Sequence, residues 1–465
     1  MTRPLTRAPG ALAVGAGRVG GGGHRFVTDV LGGLVLVAGL LAMAAGQPFL
    51  AVGLVVVLVG VLACATRPYE TALALAFLTV AFPKAGIKVG DFPVPVLLFG
   101  SVLALGLLAL TAERRTRRRP TTVLLVFCAL MWVLVRVART FGTTELGDKL
   151  AYVAWSTIPL VMLLVATSIE LRDRRLATWM ERGFLLAAGF AVVQFFWGIE
   201  RTAVPGLTIA WGDSYREKHN VISGGETDYS KIMSTYQNGN IFGATAVVFL
   251  LVAVTRIARG RAGTHDRVLA AAAALAIVLS GSRAAVLAAV VGLALLALAR
   301  GSTLRKVRIF ALVAGAAVAG LVLQPALTDR YAVSGLVRSG GAGRVATWSA
   351  AMESMSPADW LVGARTPYGA DGAIGLVTAH GLVGIALLFS AAWVLVVGRP
   401  QWRVVFAALA ALAAVDSTYA YFPTWFIPAL AAALPIVAAA GPPEGDGAAD
   451  ELPGAREAHE TGARR

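Results

Sequence analysis

Residues 268 to 299 read VLAAAAALAIVLSGSRAAVLAAVVGLALLALA, two apolar runs joined by Ser280-Gly281-Ser282-Arg283. As one helix the stretch would extend about 48 Å, beyond a bilayer core of about 30 Å even with tilt. It would also be a single crossing, leaving the basic clusters on either side, Arg256 to Arg267 and Arg300 to Arg308, in different compartments. A hairpin keeps both clusters on one side. Arg283 then stands at the turn, at or slightly below the membrane surface, where a cation is costly without an anionic partner.

The rest of the chain repeats this pattern. Hydrophobic residues make up 57% and charged residues 14%, against roughly 25% charged in a soluble domain, so the chain reads as an integral membrane protein. Apolar runs fall at about 30 to 46, 48 to 65, 70 to 82, 94 to 111, 121 to 138, 150 to 167, 183 to 198, 240 to 256, 268 to 280, 284 to 299, 309 to 323, 372 to 397, 403 to 416 and 424 to 440. They lack the alternation of barrel strands, so the expected fold is an all-α polytopic membrane protein with about fourteen transmembrane helices, in a range of roughly 12 to 14.

Charge placement orients the spans. The net charge of +15 raises nucleic acid as a partner, but the basic residues form short clusters between apolar runs, including Arg114-Arg115 and Arg117-Arg118-Arg119. Positive-inside topology explains these clusters without nucleic acid, and puts both termini in the cytoplasm with the lipid bilayer as the main surrounding. Residues 1–28 read as a flexible cytoplasmic tail, 29–440 as the membrane helical domain and 441–465, rich in Pro, Gly and acid, as a disordered cytoplasmic tail. Two extracytoplasmic loops are long, 200–239 and 324–371; both mix charges with aromatics, and the second is expected to hold short helices. Cys64 and Cys128 both lie in apolar runs, which suggests packing rather than a disulfide framework or a metal site.

Polar residues that belong to membrane-facing segments are the candidates for chemistry. Arg283 reads either as a snorkelling turn residue or as an arginine that holds a diphosphate. Tyr236-Gln237-Asn238-Gly239-Asn240-Ile241-Phe242-Gly243 leads from the first long loop into a span. Asn238 or Asn240 closes the helix end there, and the helix start offers amides to a phosphate. Arg344 and Trp348, four apart, share a helix face. Arg365 and Asp371 flank a Pro-Tyr-Gly turn before the next span, and His380 follows nine residues later, on the opposite face of a straight helix and about 13 Å deeper. His380 is therefore not paired with Asp371, and reads as a packing residue or a ligand contact. Asp416 ends the penultimate run, as a cap or a cavity-lining group. Arg136 and Arg139, at the end of their run, read as snorkellers or as further phosphate contacts.

Three of these motifs, in this order, resemble the bacterial O-antigen ligase and O-antigen polymerase superfamily. They are Asn238-Gly239-Asn240-Ile241-Phe242-Gly243, the turn Ser282-Arg283-Ala284-Ala285, and a large loop that starts with Arg344 to Trp348 and ends in a helix with Gly381-Leu382-Val383-Gly384. The match covers residues 236 to 390.

The resemblance implies a membrane-embedded glycosyltransferase whose donor is a polyprenyl-diphosphate-linked oligosaccharide at the outer face of the cytoplasmic membrane. Its acceptor is a glycan or other hydroxyl, and it takes no metal or other cofactor. Arg283 and Arg344 match family arginines that hold the diphosphate, and the substrate-binding set expected around them is Asn238, Asn240, Trp348, Arg365 and His380. Ligases of the family carry a His-Asn or similar pair about eleven residues before Gly-Leu-x-Gly, an offset that lands on Ala370 and Asp371. The histidine is absent, so either Asp371 takes over as general base or positioning alone carries the reaction. A transporter or flippase of lipid-linked sugars is the competing class. It would line both leaflets with polar residues, whereas here these gather at the outer ends of spans.

Overall fold

The computed structural model describes residues 59–89, 92–111, 120–140, 160–165, 175–209, 229–259, 262–298, 344–365, 370–397 and 400–416, with short pieces at 113–114, 157, 169–170 and 221–222 and single positions between 307 and 322. The expected tails 1–28 and 441–465, the runs near 30 to 46 and 424 to 440, and most of the run near 309 to 323 lie outside the described residues.

The packed body is helical. Its helices are α1 (Pro68–Ala81), α2 (Val96–Thr111), α3 (Pro120–Thr140), α4 (Arg175–Trp197), α5 (Gly239–Ala258), α6 (Thr264–Leu279), α7 (Arg283–Leu298), α8 (Arg344–Ser354), α9 (Pro357–Val362), α10 (Gly372–Val397) and α11 (Pro400–Val415). Among the described residues, the strands form three antiparallel two-strand pairs: β1 (Gly86–Val89) with β2 (Phe92–Pro95), β3 (Glu113–Arg114) with β4 (Ile169–Glu170), and β5 (Val221–Ile222) with β6 (Tyr229–Ser230). Proline opens α1, α3, α9 and α11, where its missing N–H costs no helix bond and its fixed φ suits the first turn. α4, α5 and residues Gly372–Val394 of α10 are each long and apolar enough to cross a membrane, while Pro68–Ala81, Gly100–Leu110, Arg283–Leu298 and Trp402–Val415 are shorter apolar helices.

α5 is the axis of the body. Every residue from Ile241 to Thr255 is buried, so it is apolar all round, as a helix with neighbours on every side must be. α6 returns antiparallel to it: Gly239 lies against Ser280 at one end, and Arg256 reaches Asp266 at the other. α7 then runs parallel to α5, with Gly243 against Ala285 and Gly292 against Leu251. The segment 268 to 298 is therefore a hairpin, reversed at Gly281 with φ 60°. α11 packs along α7 and α5, α10 along α11, and α3 along α10.

The end of the bundle opposite the hairpin turn is closed by charge. Arg256 Nη1 lies 2.6 Å from Glu181 Oε1 and 3.1 Å from Asp266 Oδ1, and His265 Nε2 lies 2.9 Å from Glu181 Oε2. Because these groups tie α4, α5 and α6 together, the nearly buried Glu181 is balanced where an isolated carboxylate would be expensive.

The expected run 372 to 397 is helical except at Gly381, and so is not one helix. Gly381 breaks it with φ 65° and ψ 170°. A Cβ at Gly381 would run into Leu361 O and Gly363 N, so the backbone of the preceding loop occupies the notch that the break opens. The second half of α10 restarts at Leu382. A straight-helix reading of this stretch holds only as far as His380.

Candidate functional site

The segment before α5 is held by its neighbours at almost every residue. Ile232 N donates to Leu279 O at 3.3 Å. Ser234, at φ 54°, is the single non-glycine residue with positive φ among those described. Gln194 holds it from both sides, Nε2 donating to Ser234 O at 2.9 Å and Oε1 accepting from Ser234 N at 2.7 Å. Ser234 Oγ donates to Ala187 O at 2.6 Å, Thr235 Oγ1 to Ala81 O at 2.6 Å and Tyr236 Oη to Val80 O at 2.8 Å. Burial pushes the Tyr236 phenol far above its usual pKa, so it serves as a neutral donor. A backbone strain of this kind persists only where the surroundings over-determine it. Here they fix the place from which α5 starts.

That start carries the first motif. Asn238 caps α5, its Oδ1 accepting from Ile241 N at 2.9 Å. Asn240, the second residue of α5, has its side chain engaged on both sides: Oδ1 accepts from Lys231 Nζ at 3.2 Å, and Nδ2 donates to Asp416 Oδ2 at 3.0 Å. An ammonium has only donors, so the amide cannot be turned the other way without setting N–H against N–H at Lys231.

The second motif lies directly against the first. A Cβ at Gly239 would stand 2.5 Å from Ser280 O, and one at Gly243 would stand 2.6 Å from Ser280 Oγ and 2.9 Å from Ala285 Cβ. Only glycine at both positions lets α5 approach the hairpin turn this closely, the small-residue contact of packed membrane helices. Ser282 Oγ accepts from Ala285 N at 3.2 Å and so caps α7, whose first residue is Arg283.

The Trp348 part of the third motif reaches the same end through α11, whereas its Gly381 to Gly384 part packs against α9 and Trp132. Trp348, on α8, donates from Nε1 to Asp371 Oδ1 at 3.1 Å. A Cβ at Gly372 would stand 3.0 Å from the Trp348 ring and 2.7 Å from Ala414 O, so the start of α10 abuts the end of α11, next to Asp416. Asn238, Asn240, Arg283, Trp348 and Asp371 thus stand on elements that meet at one end of the bundle. Arg344 is the first residue of α8; its side chain lies outside the described residues.

Arg365 and His380 belong to a different contact. His380 is fully buried between α3 and α10, its ring stacked on Trp132 with centroids 6.1 Å apart, and Trp132 Nε1 donates to His380 O at 3.2 Å. Arg365 is exposed, just after Ala364, whose N–H donates to Thr378 O at 2.7 Å. The arginines at the end of α3 anchor this same loop. Arg136 Nη1 donates to Ala364 O at 2.7 Å and Val362 O at 3.3 Å, and Arg139 Nη1 donates to Gly363 O at 2.9 Å and Ala358 O at 3.0 Å. Arg139 Nη2 also meets Asp359 Oδ1 at 2.8 Å. Burial raises the Asp359 carboxyl, but hydrogen bonds from Ser356 Oγ, Ser356 N and Arg139 outweigh it, and the group lies below its ordinary value.

Sequence reasoning passed over Lys231, which reads as one more charge in a mixed loop, and Gln194, one polar residue inside an apolar run. A usable signal for the α5 contact was the spacing Gly239-x-x-x-Gly243 in an apolar helix. Neither a family model, nor a curated protein, nor a solved structure matches the chain.

Proposed function

We propose that this chain is a membrane glycosyltransferase. It takes a glycan from a polyprenyl diphosphate at the outer face of the cytoplasmic membrane and polymerises it or ligates it to a surface acceptor. The observation that carries the reading is the meeting of the first two motifs with the Trp348 part of the third at one bundle end, through Gly239 on Ser280, Asn240 on Asp416, and Gly372 on Trp348 and Ala414. In this reading Arg283 and Arg344 hold the diphosphate, since bidentate guanidinium groups match phosphate oxygens and stabilise charge on a departing diphosphate without a metal ion. Asn238 and Asn240 line the donor side, and Trp348 the acceptor side. Asp371 and Asp416 stand at the abutting ends of α10 and α11, and the acceptor hydroxyl loses its proton there. The full topology is twelve to fourteen spans with both termini in the cytoplasm, as the positive clusters direct.

The break at Gly381 favours a second reading, since discontinuous membrane helices mark transporter sites. Against it, the carbonyl end of the first half-helix is taken by Trp132 and Ala364 of the chain itself.

The test is the purified protein in liposomes with a synthetic polyprenyl-diphosphate oligosaccharide. Release of polyprenyl diphosphate that survives a chelator and disappears in Arg283→Ala supports the transferase. Movement of the intact lipid between leaflets without release identifies a flippase, and neither outcome with any acceptor overturns both.

A further inference from the structure

We infer that Asp416 takes the proton from the acceptor hydroxyl, with Asn240 and Lys231 as positioning residues. The inference rests on the glycosyl-transfer reading above and assigns a role within it. Asp416 is 5% exposed and lies one hydrogen bond, 3.0 Å, from Asn240 Nδ2. Asn240 sits between Gly239 and Gly243, the two positions that rest on the turn leading into Arg283. Through these contacts a carboxylate is tied to the element that presents the diphosphate arginine. Asp371 is held instead by Trp348 on the loop side.

The three side chains form an ordered series. Lys231 Nζ fixes Asn240 Oδ1, which turns Nδ2 toward Asp416 and sets the carboxylate's orientation. A carboxylate aimed by a second group, which a third holds in turn, meets an acceptor hydroxyl in a set geometry. α7 and α11 also pack along each other, so Arg283 at the start of one and Asp416 at the end of the other flank the same end of the bundle. An inverting displacement needs the leaving group and the base on opposite faces of the sugar, as two flanking helices provide.

The step balances as follows. The acceptor oxygen forms a bond to the anomeric carbon while the bond from that carbon to the diphosphate oxygen breaks. The electron pair leaves with the diphosphate, and the hydroxyl proton passes to the Asp416 carboxylate and then to water.

The experiment compares two nucleophiles on the full chain in liposomes, a hydroxyl acceptor and azide, which is already anionic and needs no base. Asp416→Asn is expected to lower kcat with the hydroxyl acceptor by about 100- to 10,000-fold, to leave the donor KM within about threefold, and to form glycosyl azide within about tenfold of the wild-type rate. Lys231→Met and Asn240→Leu are expected to lower kcat about tenfold with the hydroxyl only. Asp371→Asn is expected to raise the acceptor KM while keeping the ratio of hydroxyl to azide turnover. Equal losses with both nucleophiles in Asp416→Asn, or a hydroxyl-selective loss in Asp371→Asn instead, would overturn the assignment. A wild type silent with every nucleophile would instead sink the transferase reading itself, and the variants could not be confused with it.

Discussion

Arg139 Nη2 lies 2.8 Å from Asp359 Oδ1, joining the end of α3 to the first turn of a loop helix 220 positions away. The other oxygen of Asp359 accepts from Ser356 N at 3.0 Å and Ser356 Oγ at 2.7 Å, which caps α9. One carboxylate therefore both starts α9 and fastens it to the bundle. Arg136 adds the carbonyls of Val362 and Ala364. These arginines hold the loop against α3 and α10.

The first prediction follows from the depressed Asp359 carboxyl. A group whose folded pKa is lowered adds stability above its unfolded value of roughly 3.9 and loses it as pH falls through the folded value. Asp359→Asn is expected to cost about 1 to 2 kcal/mol at neutral pH, discounted for partial exposure. The gap in melting temperature between wild type and variant should stay level from pH 8 to about 5 and close below about 4. A gap of constant size at pH 3 would show that the charge on Asp359 contributes nothing.

A second prediction concerns Gly381. Its φ of 65° with ψ of 170° is a conformation that residues with a Cβ avoid, and Leu361 O and Gly363 N occupy the space a Cβ would take. Gly381→Ala is expected to cost about 3 kcal/mol or more and to lift α9 from the notch. Thiol labelling of Ala364→Cys, buried at 1% exposure, reads this directly: slow in the parent and at least tenfold faster with Gly381→Ala. Equal rates would mean that α10 accommodates the methyl group elsewhere.

The third prediction tests the contact between the first two motifs. Gly243→Ala sets a methyl group against Ser280 Oγ and Ala285 Cβ, and is expected to cost about 1 to 3 kcal/mol by overpacking. Ala285→Gly removes one of the two obstructing atoms. If α5 and α7 meet as described, the pair of changes should be more stable than the sum of the single effects by about 1 kcal/mol in a thermal double-mutant cycle. Strict additivity would place the two residues out of contact.

How much of this was readable beforehand depends on the kind of physics involved. Apolar length found α5, α6, α7 and α11 to within a few residues, because a helix in lipid must satisfy its own backbone and so declares its extent. The hairpin at Gly281 followed from length and charge alone. The cap at Asn238 was legible because capping is local. In α4 the eight residues from Arg175 to Arg182 carry two arginines and a glutamate, so hydropathy started the run late; Glu181 is tolerated there because Arg256 arrives from another helix. The break at Gly381 depends on Leu361, and the roles of Arg136 and Arg139 on carbonyls more than 200 positions away. Asp416 could not be assigned from sequence because its partner, Asn240, is 176 positions distant. Long-range polar contacts have no period, and hydropathy does not record them.

The last prediction turns to Gln194, the polar residue inside α4 that gave no sequence signal of function. It is fully buried, and its side chain both donates to and accepts from the backbone of Ser234. Gln194→Leu keeps the volume but leaves a buried N–H and C=O without these bonds, at about 1 to 3 kcal/mol each. Gln194→Glu keeps a donor and an acceptor only when its carboxyl is protonated, and buries an unpaired charge against Ser234 O when it is not. The expected order of melting temperature under acidic conditions is therefore wild type, then Glu, then Leu. Ser234→Gly separates strain from bonding: it relieves the positive φ but gives up the Oγ bond to Ala187 O, so its net cost should be under about 1 kcal/mol. Combined with Gln194→Leu, Ser234→Gly should recover part of the loss, because a glycine adopts φ 54° without needing to be held there. If the double variant is as unstable as Gln194→Leu alone, the clamp serves the orphaned backbone groups and not the strained dihedral. In either case the Gln194 amide, reaching across from α4, is one of the anchors of the segment that leads to Asn238 and Asn240.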